Sequence, residues 1–196
     1  MPSSKFHDAK HAVLSPRRAT SAARATSSGD GLRFLSASVA DTDRLGRVIG
    51  RALRGGEVIG LYGDLGTGKT TLVRGIAAGL GAAPRLVSSP TFVLIHEYRG
   101  RLLLAHADLY RIESQDDVAQ TGLSDYLDGE TVAVVEWAER AGSELPDDRL
   151  EIRLTHRGRA TRALHLSATG PHSGELLRRL RPAAEKLRVR SGSRTG

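Results

Sequence analysis

Apolar side chains between residues 40 and 167 recur in two rhythms, and the switches between them mark the predicted elements. Leu45, Val48, Ile49, Ala52 and Leu53 keep the spacing of a buried helix face, opening at Asp41-Thr42 and closing at Gly55-Gly56. Val58-Ile59-Gly60-Leu61-Tyr62 is an apolar run of strand length, after which Leu72, Val73, Ile76, Ala77 and Leu80 return to helical spacing until Gly79 and Gly81. Residues 86–98 are mostly β-prone, with Ser88-Ser89-Pro90-Thr91 interrupting them. Residues 101–107 and 131–135 form two further apolar runs, and residues 113–127 read as one or two short helices around Gly122. Leu150–Leu154 and Ala163–Ser167 alternate cleanly on either side of Arg157-Gly158-Arg159, the pattern of an antiparallel hairpin with one wet face. No internal repeat is visible. The succession predicts an α/β fold: a mostly parallel sheet flanked by helices, with an antiparallel edge hairpin.

One junction carries chemistry. Gly63-Asp64-Leu65-Gly66-Thr67-Gly68-Lys69-Thr70, followed by Thr71, fits G-x-x-x-x-G-K-[ST], the phosphate-cradling loop of P-loop nucleotide hydrolases. A strand precedes it and a helix follows, as such a loop requires, so the chain is expected to be a single P-loop NTPase domain. Gly63, Gly66 and Gly68 open φ values closed to other residues, so that successive N–H groups turn inward on phosphates. The helix beginning near Lys69 adds its unpaired N–H groups and the positive end of its dipole. Lys69 is expected to reach the β- and γ-phosphates, and the Thr70 hydroxyl to ligate Mg²⁺. The bland alternative is a glycine-rich turn ahead of an ordinary capped helix.

Charge accounting removes a tempting partner. The net charge of +7 suggests nucleic acid at first sight. Residues 1–30 and 172–196 together carry +8, leaving residues 31–171 at −1, so the basicity belongs to the ends of the chain. Residues 1–30 are rich in Ser, Ala, Thr and Arg and read as a disordered leader; they lack the apolar stretch of a signal peptide, and a transit peptide is the less favoured reading. Residues 31–171 are expected to hold the catalytic domain, and residues 172–196 a basic helix and tail, with Leu176, Leu177, Leu180 and Leu187 on a rough stripe across 175–189. Cysteine is absent, which excludes disulfides and thiolate metal sites and fits a reducing compartment. No run of eighteen apolar residues occurs, so no membrane span is expected.

A P-loop needs a carboxylate at the end of a neighbouring strand to hold Mg²⁺ directly or through water. Glu136 ends the uninterrupted run Val132-Ala133-Val134-Val135, and Asp108 follows the interrupted run Leu102-Leu103-Leu104-Ala105-His106-Ala107. Local pattern favours Glu136; both acids can serve at once, one near the metal and one orienting water. His106 reads as a buried, hydrogen-bonded histidine before it reads as a base. Trp137, the single tryptophan, covers the nucleotide or faces a partner, or else packs in the core or at its rim.

The P-loop, then Ser89-Pro90-Thr91-Phe92, His106-Ala107-Asp108-Leu109-Tyr110-Arg111, Gly122-Leu123-Ser124-Asp125-Tyr126-Leu127 and Glu136-Trp137-Ala138-Glu139-Arg140 resemble, in order and spacing, the TsaE family over about residues 32–167. The resemblance implies a cytoplasmic ATPase that binds ATP and Mg²⁺ and is slow alone. It implies work with TsaB and TsaD, the latter transferring a threonylcarbamoyl group to adenosine 37 of tRNAs reading ANN codons, so that tRNA is met through the complex. Carried over, Lys69 holds phosphates, Thr70 ligates Mg²⁺, Asp108 takes the Walker-B role, and Glu136 lies near the metal and the attacking water. Ser89–Phe92 corresponds to a switch-like loop. The family usually has Ala where Thr67 stands and commonly Phe where Ala107 stands. Competing readings are a small-molecule P-loop kinase, with 157–162 as its lid, and an RNA-binding protein using its basic ends; Arg111, Arg140 and Arg162 are the arginine-finger candidates.

Overall fold

The computed structural model describes residues 31–83, 87 and 94–192. Its strands are β1 (Leu32–Ser36), β2 (Val58–Tyr62), β3 (Ile95–Arg99), β4 (Leu103–Asp108), β5 (Val132–Glu136), β6 (Leu150–His156) and β7 (Arg162–Ala168). Its helices are α1 (Val39–Ala52), α2 (Lys69–Gly79), α3 (Gln115–Ala119) and α4 (Pro171–Gly192). The leader 1–30, the Ser89–Phe92 segment and residues 193–196 lie outside the described residues.

The strands form one sheet in the order β1-β7-β6-β2-β5-β4-β3. The middle four, β6, β2, β5 and β4, run parallel. The predicted hairpin is present as β6–β7, but it does not end the sheet: β1 pairs outside β7, and β3 pairs antiparallel with β4 at the opposite edge. β1 escapes the sequence reading because only Leu32, Phe34 and Ser36 face inward, and Leu35, 56% exposed, masks the alternation. β2 and β5 are buried along their whole length, which explains their unbroken apolar runs.

Helices α1, α2 and α4 cover one face over a core that includes Ile49, Ile59, Leu61, Ile76, Ile152 and Leu166. On the other face, a second cluster joins Val58, Tyr62, Ala133 and Val135 to Leu109, Val118, Leu123, Ala138 and Leu145. Beyond it, the same face of β1, β7 and β6 forms an open groove of about 790 Å³ lined by Arg33, Leu35, Ala37, Arg153, Thr155 and His165. The near-zero net charge of 31–171 therefore conceals a local basic cluster.

Two departures from the predicted helices concern their ends. α1 starts at Val39 with Ser38 as its cap, the Ser38 hydroxyl accepting the Asp41 N–H, while Thr42 is buried against Ser36 at 2.8 Å. α4 starts at Pro171 and not near Glu175, because Asp148, from the β5–β6 connection, accepts the His172 and Ser173 N–H groups. Leu176, Leu177 and Leu180 of α4 are buried in the main core, and Arg179 pairs at 3.0 Å with the buried Glu57, so the core extends past residue 171.

The contact between α1 and α2 has no side chains at its centre. A Cβ on Gly46 would lie 2.4 Å from Leu72 O, one on Gly50 2.2 Å from Ile76 O, one on Gly75 2.3 Å from Asp43 O, and one on Gly79 2.5 Å from Arg47 O. Two glycine pairs, four residues apart on each helix, thus let the backbones touch. The helix that begins at the P-loop is seated on this seam.

Candidate functional site at the carboxyl ends of the parallel strands

β2, β5 and β4 are parallel neighbours, so their carboxyl ends open side by side into one crevice. β2 ends in the P-loop, β5 in Glu136, and β4 in Asp108. The loop, Gly63 to Thr71, thereby opens on the same crevice as both acids, and Thr70 reaches Glu136.

The loop has the backbone its glycines predict. Gly63 (φ 136°) and Gly68 (φ 100°) are left-handed, and a Cβ on Gly63 would strike Leu154 O of β6 at 2.3 Å. Gly68 caps α2 with no side chain in the way, leaving the first N–H groups of the helix facing the loop. Asp64, Leu65 and Gly66 are exposed at the tip. Thr67 is buried, and its hydroxyl donates to Asp64 O at 2.8 Å, a brace across the loop that an alanine would not supply. Sequence reasoning had given this side chain no role.

Lys69 is 5% exposed and folded back on its own loop: Nζ donates to Gly63 O at 2.5 Å and to Asp64 O at 3.1 Å. The Trp137 ring covers it, with Nζ 3.7 Å from the ring centroid. Burial pushes the Lys69 ammonium below the ordinary lysine range, against the opposing pull of Glu136, Glu139, Asp108 and Asp64. Trp137 holds this position with φ 58°, the one left-handed non-glycine among the described residues, at a cost of roughly 1–2 kcal/mol. Tyr110 stacks obliquely on it, centroids 5.0 Å apart, with the Arg140 guanidinium 5.8 Å from the ring.

The two acids differ in position. Glu136 stands on the strand next to β2, and the Thr70 hydroxyl donates to its Oε2 at 3.2 Å. Asp108 is its cross-strand partner one strand further out, with Oδ1 accepting the Tyr110 N–H at 3.0 Å. Both are buried, at 3% and 5% exposure. His106 is fully buried and lies 2.9 Å from Glu136 Oε1. A hydroxyl and two carboxylates are hard oxygen donors suited to Mg²⁺, which keeps water and substrate oxygens as its other ligands. The described residues hold no cluster of three or more His, Asp or Glu that would form an all-protein cage. The donor set therefore fits an ion shared with a phosphate chain.

Of the finger candidates, Arg162 touches the loop, Nη2 lying 3.4 Å from Gly66 O. Arg140 donates to Ile112 O at 2.6 Å beside the Trp137 stack, and Arg111 is exposed. The stretch considered as a kinase lid is the turn between β6 and β7, closed by Arg157 N–H on Thr161 O at 2.9 Å. No helix among the described residues is long and apolar enough to cross a membrane.

Known proteins share this arrangement. The family described as "Threonylcarbamoyl adenosine biosynthesis protein TsaE" matches residues 36–164. The tRNA threonylcarbamoyladenosine biosynthesis protein TsaE of Treponema pallidum is 45% identical over 123 residues, 63% of this chain and 90% of that protein. The Bacillus subtilis protein of the same name is 39% identical over 140 residues, 71% of this chain and 87% of that one. The crystal structure of Bacillus subtilis YdiB superposes with a TM-score of 0.65 at 31% identity, covering 79% of this chain and 96% of that chain. With the P-loop, both acids and the tryptophan inside the matched span, the chain belongs to the TsaE family of tRNA threonylcarbamoyladenosine biosynthesis proteins.

Proposed function

We propose that this protein is a cytoplasmic Mg²⁺-dependent ATPase that supports formation of the threonylcarbamoyl group on adenosine 37 of tRNAs reading ANN codons. It acts with TsaD and TsaB and is not itself the transferase. The observation that carries the reading is the contact of the Thr70 hydroxyl with Glu136, beside a buried lysine at the start of a helix. A buried cation, a row of helix N–H groups and a hydroxyl–carboxylate pair suit a triphosphate chain.

The roles follow from placement. Gly63 to Thr71 wrap the phosphates with backbone N–H groups, and Lys69 leaves the Gly63 and Asp64 carbonyls to meet the β- and γ-oxygens. Thr70, Glu136 and Asp108 are the residues that would hold Mg²⁺, directly or through water. Bound Mg²⁺ would supply charge neutralisation on the phosphates. Glu136 has the reach to orient an attacking water. No strong base is needed, since phosphoryl transfer rests on positioning and electrostatics.

The test is ATP turnover by the full chain, alone and with TsaB and TsaD, for wild type, Lys69→Ala and Glu136→Ala. Wild type is expected to be slow alone and faster in the complex, with both variants folded and at least about tenfold slower. Equal rates with and without partners would sink the partner-activated reading, and wild-type rates in both variants would sink the site assignment.

A further inference from the structure

We infer that His106 is a positioning residue that fixes the Glu136 carboxylate in the orientation hydrolysis needs; the inference rests on the ATPase reading above. His106 is fully buried in the middle of β4, and its Nε2 is 2.9 Å from Glu136 Oε1. The other oxygen of the same carboxylate accepts from Thr70 at 3.2 Å. Held from both sides, the carboxylate loses the free rotation that its three side-chain torsions would otherwise give it.

The histidine's tautomer follows from the surroundings. An ionised carboxylate only accepts, so the bond requires a proton on Nε2. His106 Nδ1 is sealed from water and has no hydrogen-bond partner, so a proton there would be a buried donor with nothing to meet. In this tautomer His106 serves Glu136 as a donor through Nε2. It acts through Glu136.

A purely structural role explains the residue poorly. Its surroundings on this face are the buried Leu104, Val134 and Tyr98, the Tyr98 ring centroid lying 6.2 Å from its own, with His96 its register partner on β3. An apolar side chain would pack there without an orphaned nitrogen, at the cost of leaving the buried Glu136 Oε1 without its donor. What leucine cannot do is donate to Glu136.

The experiment compares full-length wild type, His106→Leu and His106→Gln, whose amide nitrogen takes the place of Nε2. Steady-state ATP hydrolysis with TsaB and TsaD is measured alongside melting temperature. His106→Leu is expected to stay folded, with a melting temperature lowered by several degrees, and to keep its KM for ATP within about twofold, with kcat at least about tenfold lower; His106→Gln should recover most of kcat. In a Glu136→Ala background, His106→Leu should cost nothing more, since the two act as one unit. A second readout needs no turnover: nitrogen NMR of the protein alone should find His106 protonated at Nε2 and bare at Nδ1, with the Nε2–H signal moved in Glu136→Gln. A kcat within twofold of wild type in His106→Leu, or a folded but inactive His106→Gln, would overturn the inference, as would an Nδ1–H tautomer. Should wild type itself hydrolyse no ATP, the ATPase reading fails separately, and the NMR result still decides whether His106 donates to Glu136.

Discussion

At the scale of single residues, the site is held by contacts that a bound nucleotide, as proposed, would have to break. Lys69 Nζ is spent on two loop carbonyls and lies under the Trp137 ring. A phosphate that takes the ammonium must pull it from both, so the ring loses a cation 3.7 Å from its centroid. The chain has one tryptophan, which makes its emission a clean reporter. We expect ATP or ADP to shift Trp137 fluorescence in a saturable way. In Lys69→Ala, which has no ammonium to withdraw from the ring, this signal should vanish, and nucleotide affinity measured by calorimetry should fall about 10–100-fold, as loss of hydrogen bonds to a charged group requires. A wild-type titration with unchanged emission would show that the lysine stays under the ring. The loop residues were legible in the sequence because their pattern is local. The Thr67 brace and the His106–Glu136 bond were not, since each depends on where a buried hydroxyl or ring nitrogen points after folding.

At the scale of elements, strands buried on both faces read most clearly, β1 was missed because the exposed Leu35 masks its alternation, and the misread helices were misread at their ends. Nothing in the sequence near Pro171 shows that a helix cap waits at Asp148, more than twenty residues earlier in the chain. This cap has a testable pH signature. Burial raises the Asp148 carboxyl, but hydrogen bonds from the Ser173 hydroxyl and the Ser173 and His172 N–H groups outweigh it and hold the group below the ordinary aspartate range. With the folded value below the unfolded one, the stabilisation is present above about pH 4 and is lost as pH falls through the folded value. Asp148→Ala should therefore cost about 1 kcal/mol in urea unfolding at pH 7, and the gap to wild type should narrow by pH 3. Asp148→Asn should keep most of the cap and lose its share of the acid sensitivity.

At the scale of the whole molecule, strand order decides what the local pattern left open. Both acids were visible as charges closing apolar runs, but their distances from the P-loop depend on β5 lying between β2 and β4, which is a long-range fact. Glu136 meets Thr70 for that reason, and Asp108 stands behind it. The glycines of α1 and α2 were equally readable as letters, and Gly79 passed for a stop signal; their purpose is visible only when the helices cross. A single methyl group on Gly50 would sit 2.2 Å from Ile76 O, and backbone there cannot step aside as a flexible side chain would. Gly50→Ala should accordingly lower stability by about 1–3 kcal/mol in chemical unfolding. Two helices whose main chains touch in this way have no cushion of rotamers to absorb partial separation, so they should open as one cooperative unit. Native-state hydrogen exchange should then give the central amides of 39–52 and 69–79 a common opening free energy, and the phosphate loop's helix should not fray while its neighbour stays shut.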